Sequence, residues 1–171
     1  GDVIASSATQ KTADTVAEAF GIATTTDNTR VAKESDMIVL AVKPVFCEQV
    51  IREIRDEIRE DQIIVTIVAG RSLDWLQEQF GGSHAIVRTM PNTPALVGEG
   101  ITAVCPNELV SDEQLEQVLG LLESCGRAQV VPERLMDAVV AVSGSSPAYV
   151  FMFIEAMADA AVAEGMPRAQ A

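Results

Sequence analysis

Six apolar residues follow one another from Met37 to Val42, and Lys43-Pro44 end the run. A continuous apolar run with β-branched members reads as a strand buried on both faces, the kind found in parallel sheets covered by helices on each side. Residues 62–69 (QIIVTIVA) form a second such run, stopped by Gly70, and 85–90 (AIVRTM) a third. Shorter strands are predicted over 3–6, 22–24, 101–105 and 129–131. Between them the period changes to that of a helix. Ala13, Val16, Ala17 and Phe20 fall on one helical face before Gly21, and Ile51, Ile54 and Ile58 mark another. Thr26 or Asp27 can cap a short helix running to Ser35. Ser72 caps a helix through Leu76 to Phe80, closed by Gly81-Gly82. Ser111 and Gln114 have capping-box spacing ahead of the stripe Leu115, Val118, Leu119 and Leu122. Strands alternating with helices, on connections too long for hairpins, predict an α/β fold with a doubly wound parallel sheet.

After Glu133 the strands stop. Residues 135–142 read as a helix, and Ser143-Gly144-Ser145-Ser146-Pro147 as its break, with Ser146 capping a new helix that has Pro147 in first position. That helix carries Val150, Phe151, Phe153, Ile154, Met157, Ala158, Ala161 and Val162, apolar nearly all round, so it must be covered by a larger domain or a partner chain. A domain boundary is therefore expected near 142–147, dividing the chain into 1–142 and 143–171. The first residue is Gly1 rather than Met, and Pro167 looks like the start of one more helix, so both ends are expected to be cut.

Composition narrows the function. A formal charge of −13 argues against a nucleic-acid surface, and 48% hydrophobic residues suffice for a substantial aliphatic core. Cys47, Cys105 and Cys125 are far apart and odd in number, so reduced cytoplasmic thiols are expected rather than a disulfide framework or a zinc site. The apolar windows near 37–42 and 148–163 are too short for a membrane span or carry Glu155 and Asp159, and no signal peptide is evident.

Parallel sheets bind ligands at the carboxyl ends of their strands. There the sequence places Ser6-Ser7-Ala8-Thr9, Ala41-Val42-Lys43-Pro44, Ala69-Gly70 and Thr89-Met90-Pro91-Asn92-Thr93, small and polar residues that suit a nucleotide. Ser6-Ser7 stand where an acid would bind the ribose of NAD, which favours NADP. A Gly-x-Gly-x-x-Gly turn is absent; its place is upstream of Gly1. Pro91-Asn92-Thr93-Pro94 reads equally as a rigid turn or as a binding loop. His84 and Cys105 read as structural, Tyr149 as packing, and Asp36, Glu133 and Asp137 form no close carboxylate pair in sequence.

Three segments, 40–44 (LAVKP), 87–100 (VRTMPNTPALVGEG) and 142–149 (VSGSSPAY) leading to 165–168 (GMPR), together resemble the pyrroline-5-carboxylate reductases along the whole chain. The resemblance implies a Rossmann-like domain followed by the start of an all-helical dimerisation domain. It also implies NAD(P)H-dependent reduction of 1-pyrroline-5-carboxylate to L-proline in cytoplasmic proline biosynthesis, and a homo-oligomer joined by its C-terminal helices without membrane or nucleic acid. NADP(H) is the implied cofactor, with NAD(H) the second option. Ser7 and Asn28 would lie at its adenosine end, Ala41, Val42 and Lys43 along it, and Ala69 on the nicotinamide side, while Glu133 matches a substrate-contacting position. No catalytic residue or metal ligand is implied. Departures are Ala8, where many relatives carry a basic residue, and Ser146, where the common pattern has Gly. The family's glycine turn and its Gly-Gly-x-Thr region are not in these residues, so little activity and an exposed edge on strand 37–42 are expected of the chain alone. A related oxidoreductase of another substrate, such as a hydroxy acid, and a non-catalytic NADP(H)-binding module are the alternatives.

Overall fold

The computed structural model describes residues 2–171; Gly1, where the expected first domain begins, lies outside the described residues. Strands and helices alternate as the hydrophobic pattern predicts. β1 (Ile4–Ser6) and β2 (Ala23–Thr25) pair in parallel around α1 (Gln10–Phe20), and α2 (Asn28–Glu34) follows. A separate five-stranded sheet has the order β3 (Met37–Leu40), β4 (Ile63–Thr66), β5 (Ala85–Met90), β6 (Gly100–Pro106) and β7 (Gly126–Val130). Its crossovers are α3 (Pro44–Ile54), α4 (Leu73–Phe80) and α5 (Asp112–Glu123). The helix starts use the predicted caps: Asp27, Ser72 and Ser111 accept the Thr29, Trp75 and Gln114 amides, and Gln114 completes the capping box.

The two long apolar runs form shorter ladders than their patterns. Pro44 opens α3 with Lys43 as its extended N-cap, so 41–43 leave the sheet to make that turn. In β4 the Thr66 hydroxyl accepts the Val68 amide at 3.1 Å, folding the chain back on itself after the strand. α3 likewise ends at Ile54, and a 3-10 turn carries Arg55–Glu57.

β3–β4, β4–β5 and β6–β7 are parallel, while β5–β6 is antiparallel. Between β5 and β6 only a short 3-10 turn (Thr93–Val97) intervenes, too little chain for a covering helix, so β6 returns beside β5. The sheet thus remains parallel in the main, with one reversed pair.

Helices cover both faces. α3 and α4 bury Ile51, Ile54, Leu76 and Phe80 against Ile38, Leu40, Ile64 and Ile86. On the other face α5 packs Val118 over Ile63, Val65, Val87 and Val104. Each such side chain contributes about 1.5–3 kcal/mol on removal from water. Side chains tie α2 to the larger sheet. Gln62, fully buried, donates to the carbonyls of Ala32 (2.6 Å) and Ser35 while its Oε1 accepts the Arg59 amide at 2.5 Å. β3 pairs with β4 alone among the described residues.

The predicted helix break does not occur. A 3-10 turn (Glu133–Leu135), α6 (Met136–Val139), a π-wound turn (Val140–Gly144) and α7 (Ser146–Ala163) follow without interruption. The Ser145 hydroxyl donates to the Val140 carbonyl, five residues back, at 3.1 Å, so the small residues widen the helix instead of ending it. Ser146, the expected cap, is the first residue of α7, and Ser145 stands before it with helical backbone angles. α6 buries Met136 under β6. α7 buries nothing against the rest of this chain: Tyr149 is 63% exposed, so the packing expected of it is not made within the described residues. The winding also makes Glu133–Ala163 long and apolar enough to cross a membrane by length and composition, contrary to the shorter windows read from sequence, although it carries Glu155 and Asp159.

Candidate functional site

Two groups of predicted residues meet at the strand ends. At β1 and β2, Ser6 donates from Oγ to Asn28 Oδ1 at 2.7 Å, and Asn28 Nδ2 donates to Glu53 Oε2 at 2.7 Å. Both functional atoms of the Asn28 amide are therefore engaged. The Ser7 amide is bonded to the Thr25 carbonyl at 3.0 Å, while its hydroxyl has no partner among the described residues. At β3 and β4, parallel register sets Leu40 beside Thr66, and the Ile67 amide bonds the Leu40 carbonyl, so Ala41, Val42 and Lys43 on one side and Ala69 on the other follow the ends of neighbouring strands. No ladder joins this group to the first among the described residues.

This second group is built for close approach and for negative charge. Ala41 and Ala69 carry no bulk, and Gly70 has φ +73, open to glycine without strain. Lys43 is exposed and forms no ion pair among the described residues. Arg71, not identified from sequence, stands two residues after Ala69. Its guanidinium lies 4.4 Å from the Trp75 ring, Nη2 reaches the Pro44 carbonyl at 3.4 Å, and Nε is buried without a partner among the described residues. A basic residue just after a strand-ending glycine was the sequence signal for it. In a chain of charge −13 this pair of cations is a local reversal of sign.

Glu133 is the hub of a third cluster. Its Oε1 accepts from Arg88 Nη1 at 2.9 Å and from the Leu73 amide at 2.7 Å. Arg88 Nη2 lies 3.7 Å from Asp137 Oδ1, so the two carboxylates flank one guanidinium. Arg88 was missed; a charge inside the apolar run 85–90 was its signal. Nearby, Asn92 joins the loop after β5 to the π-wound turn through the Ser143 hydroxyl, which makes 91–94 at least a rigid tie. Gly144 rests on the Met90 methyl, 2.9 Å from where a Cβ would stand.

The residues read as structural behave so. His84 is buried edge-on to Phe80 at 6.0 Å, and burial holds its pKa below the usual value against a weaker opposing effect of Glu60. Burial pushes the Cys105 thiol up, and the Glu133 charge adds to it. Among the described residues no group of three His, Cys, Asp or Glu is arranged to hold a metal. A depression of about 360 Å³ runs along α3 from Val45, close after Lys43, to Glu53, the partner of Asn28, and another of about 460 Å³ lies beside β6 and β7 (Ile101, Arg127).

Residues 1–70 match the family described as NADP oxidoreductase, coenzyme F420-dependent, and 133–171 match pyrroline-5-carboxylate reductase dimerisation. The pyrroline-5-carboxylate reductase of Escherichia coli (strain K12) is 51% identical over 152 residues, which cover 89% of this chain and 56% of that protein. The chain spans about half the length of the curated relatives it matches. Among solved structures, 1-pyrroline-5-carboxylate reductase from Streptococcus pyogenes superposes with a TM-score of 0.92 at 31% identity, over 99% of this chain and 64% of the other. Pyrroline carboxylate reductase from Plasmodium falciparum, solved with NADP bound, gives 0.85 at 30% identity, over 98% of this chain and 71% of the other. The sheet, the helical segment behind it and the residues along both place this chain in the pyrroline-5-carboxylate reductase family.

Proposed function

We propose that the protein containing this chain reduces 1-pyrroline-5-carboxylate to L-proline with NADPH. The observation that carries the reading is one continuous 51% identity to a protein of that name, running across both the sheet and the helical segment. The cofactor, when bound, supplies the hydride that adds to the carbon of the cyclic C=N, whose nitrogen ends protonated. What remains for the chain is positioning and charge, and no nucleophile is needed.

In this reading Ser7 and Asn28 stand at the adenosine end. The free Ser7 hydroxyl is the available donor there, since Asn28 is spent on Ser6 and Glu53. Hydroxyls in place of an acid favour the phosphorylated cofactor. Ala41 and Val42 offer backbone along the dinucleotide, Lys43 and Arg71 supply positive charge, and Ala69 leaves room on the nicotinamide side. Residues 1–142 form the nucleotide-binding part and 143–171 the start of the helical part. That division falls within the π-wound turn, and α7 meets a second copy of the chain through its exposed apolar surface. Three free thiols fit a cytoplasmic enzyme.

The test is an assay of the full-length protein for oxidation of NADPH and NADH with 1-pyrroline-5-carboxylate. Proline formation, faster with NADPH, is expected. Tight NADPH binding without turnover would overturn the reading.

A further inference from the structure

We infer that Arg88 is a positioning residue: it fixes the Glu133 carboxylate, and through it the loop that leads from β4 into α4. The inference rests on the reductase reading for its effect on turnover, but its geometry stands alone.

Arg88 is 6% exposed in the middle of β5, where a guanidinium left unpaired would be strongly unfavourable. Buried ion pairs are weak contributors to stability, since apolar residues of similar volume often serve as well. The pair's geometry gives it another use. A single oxygen, Oε1 of Glu133, takes both the Arg88 guanidinium and the Leu73 amide, groups 45 and 60 residues away in sequence. Leu73 is the first residue of α4, and its N–H is one of those a helix start leaves without an internal partner. Ser72 caps the Trp75 amide, so the two bonds together fix the first turn of α4.

Only three residues, Gly70, Arg71 and Ser72, separate that turn from Ala69. Glu133 also opens the long helical segment, and Asp137, one turn further on, faces the same guanidinium at 3.7 Å. Arg88 thus holds the start of the helical segment and the start of α4 against one strand. Both bonds fall on Oε1, which holds the carboxylate in place, while Oε2 makes no hydrogen bond among the described residues. The nicotinamide-side loop and the helical segment are thereby set in register.

The test uses the full-length enzyme and the variants Arg88→Lys, Arg88→Met and Glu133→Gln. The first readout is hydrogen exchange. In Arg88→Met the Leu73 and Asp74 amides exchange faster by about tenfold, while amides of β4 and β5 away from position 88 keep their protection. The second is kinetic. In variants whose melting shows them folded, kcat falls by about 10- to 100-fold while the NADPH dissociation constant moves by less than about threefold, as misplaced groups cost turnover more than affinity. Added guanidinium ion restores part of the rate to Arg88→Met and none to Glu133→Gln. Unchanged exchange at Leu73, or a folded Arg88→Met with wild-type kcat, overturns the inference. An inactive wild type overturns the reductase reading instead, and the exchange result then decides the role of Arg88.

Discussion

Asn92 donates from Nδ2 to the Ser143 hydroxyl across 3.2 Å while its Oδ1 accepts the Ile101 amide at 2.9 Å. One side chain therefore joins the loop after β5, the start of β6 and the π-wound turn. Asn92→Ala removes both bonds and should lower stability by about 1–2 kcal/mol. Asn92→Asp keeps the acceptor and should lose less. Urea unfolding of the two variants checks the order, and an Asp variant as weak as Ala would assign the effect to Ser143.

Gly126 faces Gly100 too closely for any side chain. A Cβ there would stand 2.1 Å from the Gly100 carbonyl oxygen, and φ is +143. Gly126→Ala must push β7 off β6 and should cost about 3 kcal/mol or more. Gly21→Ala is the matched control. It has a left-handed φ of +65 with nothing within 4 Å, so only the conformational cost of about 1–2 kcal/mol applies. Thermal melts of both separate close approach from backbone strain.

Burial pushes the thiols of Cys47 and Cys105 above their usual range, while Cys125 is exposed. A thiol reagent should therefore modify Cys125 quickly and the other two only in denaturant. The same shifts have a sign in stability. The fold keeps protons that the unfolded chain releases above about pH 8.5, so stability should fall as pH rises past that point. Replacing Cys105 by Ala should flatten part of the fall.

His84 gives the opposite slope. Burial favours its neutral form, and the unfolded chain gains a proton below about pH 6.5, so stability should be full above that value and decline below it. Urea midpoints across this range should fall less steeply in His84→Asn than in the wild type. Equal slopes would remove His84 from the account.

At the ends of β3 and β4, room should matter more than charge. Lys43→Met should weaken NADPH binding by no more than about fivefold, the ~1 kcal/mol of an exposed pair. Ala41→Leu, which fills the approach itself, should weaken it further. Titration of both by nucleotide fluorescence distinguishes the two contributions.

The strands, their order along the chain and the caps at Asp27, Ser72 and Ser111 were legible because each depends on neighbours within a few residues. Ser111 and Gln114 are three apart, and Lys43-Pro44 are adjacent. The reversal of β6 was not read from the sequence, although the stretch between Met90 and Gly100 is too short for a covering helix; the expectation of a parallel sheet was carried over from the longer connections on either side. Nor was the winding through Ser143-Gly144-Ser145. Local propensity there argues for a break, and only the Ser145–Val140 bond shows the alternative. The candidate site divides the same way. Ser7, Lys43 and Ala69 announce themselves at the ends of apolar runs. Arg88 gains its meaning from a carboxylate 45 residues away, a pairing that no local pattern encodes.

The π-wound turn makes the helical segment a lever. α7 has 18 residues, so about 27 Å of rod extends from a fulcrum at Val140–Gly144. A tilt of about 10° there swings Ala163 by about 5 Å, yet hardly moves Ser143. Two hydrogen bonds at the fulcrum, Asn92 to Ser143 and Ser145 to Val140, accordingly bear on the aim of the whole rod. An error of a few tenths of an ångström between them is multiplied many times at its far end.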